Sequence, residues 1–118
     1  MAENLGFTSE TINYDNLIAG TADVVTEGAT ILLGEGVIAR GTVLGKVTVG
    51  GKYRAYNAVN VDGSQNPVAI CAEEVDATLA DVITSIYLAG AFAKSKLVGY
   101  ADAIKPTLRA LGIFVKEV

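Results

Sequence analysis

The amino-acid sequence predicts a mainly β fold with one short C-terminal helix and a small α+β character, on three observations. Runs of three to five β-branched, aromatic or aliphatic residues recur from about Ala22 to Ile70, with glycine between them. One stretch near the end, Asp102–Gly112, carries helix boundary signals. The 118 residues are 51% hydrophobic, with a mean hydropathy of +0.41, yet no apolar run approaches the ~18 residues of a membrane span. A chain of this length is most simply one domain. Its apolar excess means either a rich core or apolar surface that a partner covers.

In chain order, residues 1–20 are a polar segment with isolated apolar residues, Leu5, Phe7, Ile12, Tyr14, Leu17 and Ile18. Neither alternation nor a 3.6 period organises them. Such a segment is either a frayed terminus or an arm that orders on a partner, because Phe7, Ile12 and Tyr14 do nothing useful in a solvated tail.

The expected strands are Thr30-Ile31-Leu32-Leu33, Val37-Ile38-Ala39, Thr42-Val43-Leu44, Lys46-Val47-Thr48-Val49, Tyr53-Arg54-Ala55-Tyr56 and Val68-Ala69-Ile70-Cys71. Glycines 28, 34, 36, 41, 45, 50, 51 and 63 separate them, which describes strongly bent strands. Val49-Gly50-Gly51-Lys52 is a two-residue hairpin signal with positive φ expected at both glycines. Residues 72–99 are ambiguous. Leu79, Val82, Ile83, Ile86, Tyr87 and Gly90 follow a helical period, with Asp76 or Thr78 as a possible cap, and on period alone the stretch leans to helix. Ile83–Leu88, Ala89-Gly90 and Ala91-Phe92-Ala93 read equally as a hairpin. In the final stretch Pro106 fits the first helical turn, Gly112 the stop, and Ile113-Phe114-Val115 a closing strand.

Composition narrows the chemistry. A net charge of −4, with Lys and Arg scattered, disfavours nucleic acid as a partner. The start, Met-Ala-Glu-Asn, has neither the basic nor the apolar region of a secretory signal. There is no histidine, so the commonest general base, zinc ligand and activator of a nucleophile are missing. The single cysteine, Cys71, forms no internal disulfide, suits a reducing cytoplasm, and reads as a small core residue. Gly34-Glu35-Gly36 opens like a dinucleotide fingerprint, but its third position is Ala39 and no acidic residue follows at the required distance.

The remaining candidates are weak. Asp62-Gly63-Ser64-Gln65-Asn66-Pro67 has one acid at its start, Glu73 twelfth in line and no glycine sixth, so it is not an EF-hand loop. Asp62-Gly63 is a favoured turn pair, and the turn reading is preferred. Glu73-Glu74-x-Asp76 offers paired carboxylates, with nothing near in sequence to raise a pKa. Lys94 and Lys96 read as a solvated turn. No catalytic residue, metal or cofactor is expected.

Five phrases resemble a known family: RGTVLGKVT, GKYRAYN, DGSQNPVAI, IYLAGAFAKSKL and LRALGIFV. They stand in the order found in the lambda-type head decoration, or cement, proteins of tailed phages, and cover about residues 22–116. The resemblance implies a β-clip, a bent ribbon with an incomplete barrel, and a strand–Gly–strand over Ile83–Phe92 with Gly90 at the bend. It implies a non-enzymatic homotrimer on the outside of the expanded capsid at local three-fold positions. There it would lock the major capsid protein against DNA pressure, in a virion assembled from protein made in the host cytoplasm. It divides the chain into an N-terminal capsid-binding arm, 1–21, extended or disordered when free, and a decoration domain, 22–118. Leu5, Phe7, Thr8, Ile12 and Tyr14 are the candidate capsid contacts on the arm. Neither nucleic acid nor membrane is an expected partner. The competing reading is a small β-rich binding module, for example for a saccharide, with Tyr53, Tyr56, Tyr87 and Tyr100 as an aromatic platform, or an accessory subunit of a cellular assembly. A hydrolase using only Asp or Glu is a distant third.

Overall fold

A computed structural model describes residues 17–18 and 24–116. In chain order they form β1 (Val25–Ile31), β2 (Val37–Ile38), β3 (Val43–Lys46), β4 (Tyr53–Ala55), β5 (Pro67–Cys71), β6 (Val75–Asp76), β7 (Val82–Ala93), α1 (Lys105–Ala110) and β8 (Ile113–Lys116). Single 3-10 turns occupy Lys94–Lys96 and Asp102–Ile104.

The 12-residue strand β7 organises the fold. Its first part pairs antiparallel with β1 from Ile31↔Val82 to Val25↔Ala89, and on its other side with β5 at Ile70↔Tyr87 and Cys71↔Ile86. β5 pairs with β3, β3 with β4, and β4 returns to β1 through one parallel pair, Ile31↔Tyr53. Five strands therefore close a ring whose narrowest seam is that last pair. This is the expected incomplete barrel. β8 adds in parallel to the end of β7, from Gly90↔Ile113 to Ala93↔Lys116, while β2 and β6 make a separate small ribbon.

Side-chain alternation explains why this sheet is covered on both faces. Leu44, Ala69, Cys71 and Ile86 point into the barrel with Ile31, Ile38 and Tyr53. Their neighbours Val43, Ile70 and Tyr87 point the other way, into a second cluster with Phe92, Ile104, Leu108 and Ile113. The C-terminal helix supplies that second layer: Pro106 lies in its first turn, Leu108 is its buried residue, and Gly112 at φ 92° ends it.

Between Val82 and Ala93 the strand reading holds and the helical period does not. Gly90 sits at φ 146°, where β7 leaves β1 and β5 and takes β8 as its partner. Two glycines mark features other than turns between separate strands. Gly45 lies inside β3 at a register shift against β5, so the expected runs Thr42–Leu44 and Lys46–Val49 are one strand ending at Lys46. Val47–Gly51 then forms a hairpin loop longer than the two residues expected: the Val47 amide donates to the Lys52 carbonyl at 2.7 Å, with φ positive at both Gly50 and Gly51.

Candidate functional site

The Asp62 turn is the first place to look, and its polar atoms are turned inward. One Asp62 carboxylate oxygen accepts the Ser64 hydroxyl and, at 3.0 Å, the Ser64 amide; the other accepts Arg54 Nη1 at 3.0 Å. The Ser64 bonds, with Arg54 behind them, lower the Asp62 pKa from 3.8 to about 2. Arg54 also reaches Glu35 Oε2 at 3.2 Å, and Glu35 Oε1 accepts the Ala55 amide at 3.1 Å. One guanidinium thus ties the loop after β1 to the turn after β4. Both Asp62 oxygens are engaged, one within the turn and one by Arg54, which favours the turn reading.

The other candidates separate in the same way. Asp76 is held ionised by the hydroxyl and amide of Thr78, and Glu73 accepts the Thr84 hydroxyl at 3.2 Å. Cys71 is fully buried in the barrel, where desolvation raises its pKa and its Sγ donates to the Glu73 carbonyl. Lys94 pairs with Asp102 at 3.1 Å. No group of three or more His, Cys, Asp or Glu suited to a metal ion occurs among the described residues. The four tyrosines do not make one platform: Tyr53 is buried in the barrel cluster and Tyr87 in the other, with Tyr56 and Tyr100 packed against the latter. Leu5, Phe7, Thr8, Ile12 and Tyr14 lie outside the described residues. Leu17 and Ile18 are placed, with Leu17 buried, its carbonyl accepting the Ala93 amide at 2.6 Å, and Ile18 bridged to Phe92.

What the surface does offer is aliphatic area. Val61, Leu79, Val49, Val59 and Ile83 are 80–93% exposed, and Leu33, Val37, Leu111 and Phe114 are exposed as well. Sequence reasoning assigned Val49 and Ile83 to strands without seeing that they face outward. The signal for Ile83 is its phase, because Thr84, Ile86 and Leu88 take the inward positions of β7 and leave Ile83 and Ser85 outside. Exposed aliphatic side chains mark protein-binding surface where they gather into one patch.

A family model for the bacteriophage lambda head decoration protein D matches residues 6–113. The chain belongs to that family. The match spans both core layers and extends into the N-terminal segment, and the five phrases fall almost wholly within it. No curated protein matches the chain. Membership gives it a structural, decorating role on the phage head rather than a catalytic one.

Proposed function

We propose that this chain is a homotrimeric cement protein. It seats on the outer face of the expanded capsid at local three-fold positions and holds major capsid protein subunits together against DNA pressure. The observation that carries the reading is the family match over residues 6–113, joined to an aliphatic surface that a lone 12.2 kDa chain leaves wet.

The arm makes the capsid contact, with Leu5, Phe7, Thr8, Ile12 and Tyr14 as its contact residues. Leu17 and Ile18 root it beside the end of β7. Fixing an extended arm loses roughly 1–2 kcal/mol of backbone entropy per residue, which main-chain pairing at a sheet edge of the capsid offsets. Three arms on one trimer raise each other's effective concentration, so a weak contact per arm becomes tight decoration. Deleting residues 2–14 should leave folding and self-association nearly unchanged and abolish or strongly weaken co-sedimentation with expanded capsids. Decoration by the truncated chain as tight as by the full one would move the binding face onto the β domain.

A further inference from the structure

The exposed aliphatic residues at the two ends of β7 lie in opposite electrostatic settings. At the first end are Leu33, Val37, Leu79 and Ile83, gathered where Thr30 pairs with Ile83, Val37 pairs with Asp76, and the Leu33 amide donates to Asp81. The charges there are mostly acidic. Lys52 pairs with Asp81, and Arg40 stands on the Ala72 carbonyl at 2.7 Å, but Glu73, Glu74 and Asp76 make no ion pair among the described residues.

At the other end, roughly 26 Å along the strand from Ile83 to Ala91, lie Val24, Val25, Leu111 and Phe114. They gather around Ala89–Ala91, through the pairs Val25↔Ala89 and Ala91↔Phe114. Here the free charges are mainly basic, with Glu27 on β1 lying between the two ends. Arg109 precedes Leu111, Lys116 shares the outward face of β8 with Phe114, and neither makes an ion pair among the described residues.

A molecule with two apolar patches of opposite charge at opposite ends disfavours like-to-like contact, which would set carboxylate against carboxylate. It favours one end of one copy against the other end of the next, a heterologous contact that closes into a ring when the rotation allows. We propose that the acidic end of each copy, around Leu79 and Ile83, docks on the basic end of its neighbour, around Leu111 and Phe114, and that this seam builds the ring. The inference rests on the homotrimer reading and adds which surfaces meet, and that their charges set the direction.

The test uses the full chain and its mass by sedimentation over a range of concentrations, with circular dichroism as the folding control. Arg109→Glu with Lys116→Glu sets acid against acid and should weaken association roughly tenfold or more. Adding Glu73→Lys and Glu74→Lys to the same chain reverses both ends together and should restore the ring. If the reversed chains fail to fold, the unaltered protein still decides, because its dissociation should rise with added salt. A chain that is monomeric at every concentration overturns the homotrimer reading itself. A trimer indifferent to the charge reversals, or to salt where those chains do not fold, overturns only this seam.

Discussion

Replacing Gly45 by Ala should be among the most damaging single-methyl additions to this chain. Gly45 lies in β3 where the turn after β4 crosses it, and an ideal Cβ there would stand 2.3 Å from the Ser64 carbonyl oxygen, 2.6 Å from Ser64 Cα and 2.7 Å from its carbonyl carbon. All three are backbone atoms, so no rotamer change relieves the clash. Ser64 is fully buried, and its amide and hydroxyl are bound to Asp62 while Asn60 Nδ2 donates to its Oγ at 2.8 Å. Opening the contact to even 3.0 Å moves one backbone against another by at least 0.7 Å. Overpacking of this kind costs about 1–3 kcal/mol, and each turn hydrogen bond lost with it about 1 kcal/mol more. The smaller entropy of an unfolded alanine chain returns roughly 0.5–1 kcal/mol. The expected net loss is about 2–4 kcal/mol. Gly28→Ala is the control, since its Cβ would meet nothing within 4 Å and its φ is not positive, and it should be neutral or slightly stabilising. Urea unfolding at one fixed chain concentration compares the two. A Gly45→Ala midpoint equal to that of Gly28→Ala would refute the crossing as described.

Two further predictions concern single side chains. The folded pKa of Asp62, about 2, lies below its ordinary 3.8, so its contribution to stability is fully present above about pH 4 and is lost as the pH falls through 2. Asp62→Asn should therefore flatten the fall in urea midpoint between pH 4 and 2, and an unchanged acid slope would show that the Ser64 bonds do not hold the carboxylate. Cys71→Ala should cost about 1–3 kcal/mol and leave capsid binding intact, and the native thiol should resist labelling until the chain unfolds. Rapid labelling of the folded protein would contradict its burial.

Much of the β domain is legible in the sequence because glycine punctuates it and the short runs between are β-branched. The helix is legible for a local reason as well: Pro106 and Gly112 mark its ends whatever surrounds it. The stretch around Ile83 is harder. A strand covered on one face shows clean alternation, but Ile86 and Tyr87 are adjacent and each enters a different core cluster, so apolar residues fill both phases of β7. A doubly covered strand of this kind fits a helical period by coincidence, and only pairing with β1 and β5 decides it. Gly45 misleads for a related reason: it is required by a backbone that crosses from more than fifteen residues away, and nothing local to β3 announces it. The Asp62 turn was readable as a turn from Asp-Gly alone, whereas the bond to Arg54 depends on how β4 folds back. The exposed aliphatic surface was the least visible, because an outward valine in a loop and an inward valine in a strand are the same letter.

The central claim is that this surface and its arm decorate a capsid. The most direct measurement is co-sedimentation of the purified chain with expanded heads of the phage that encodes it, titrated to saturation and compared with unexpanded heads. The account predicts saturable binding to expanded heads at three chains per local three-fold position, and greater resistance of those heads to disruption. A chain that stays in the supernatant at every concentration, or binds without approaching that ratio, would contradict it.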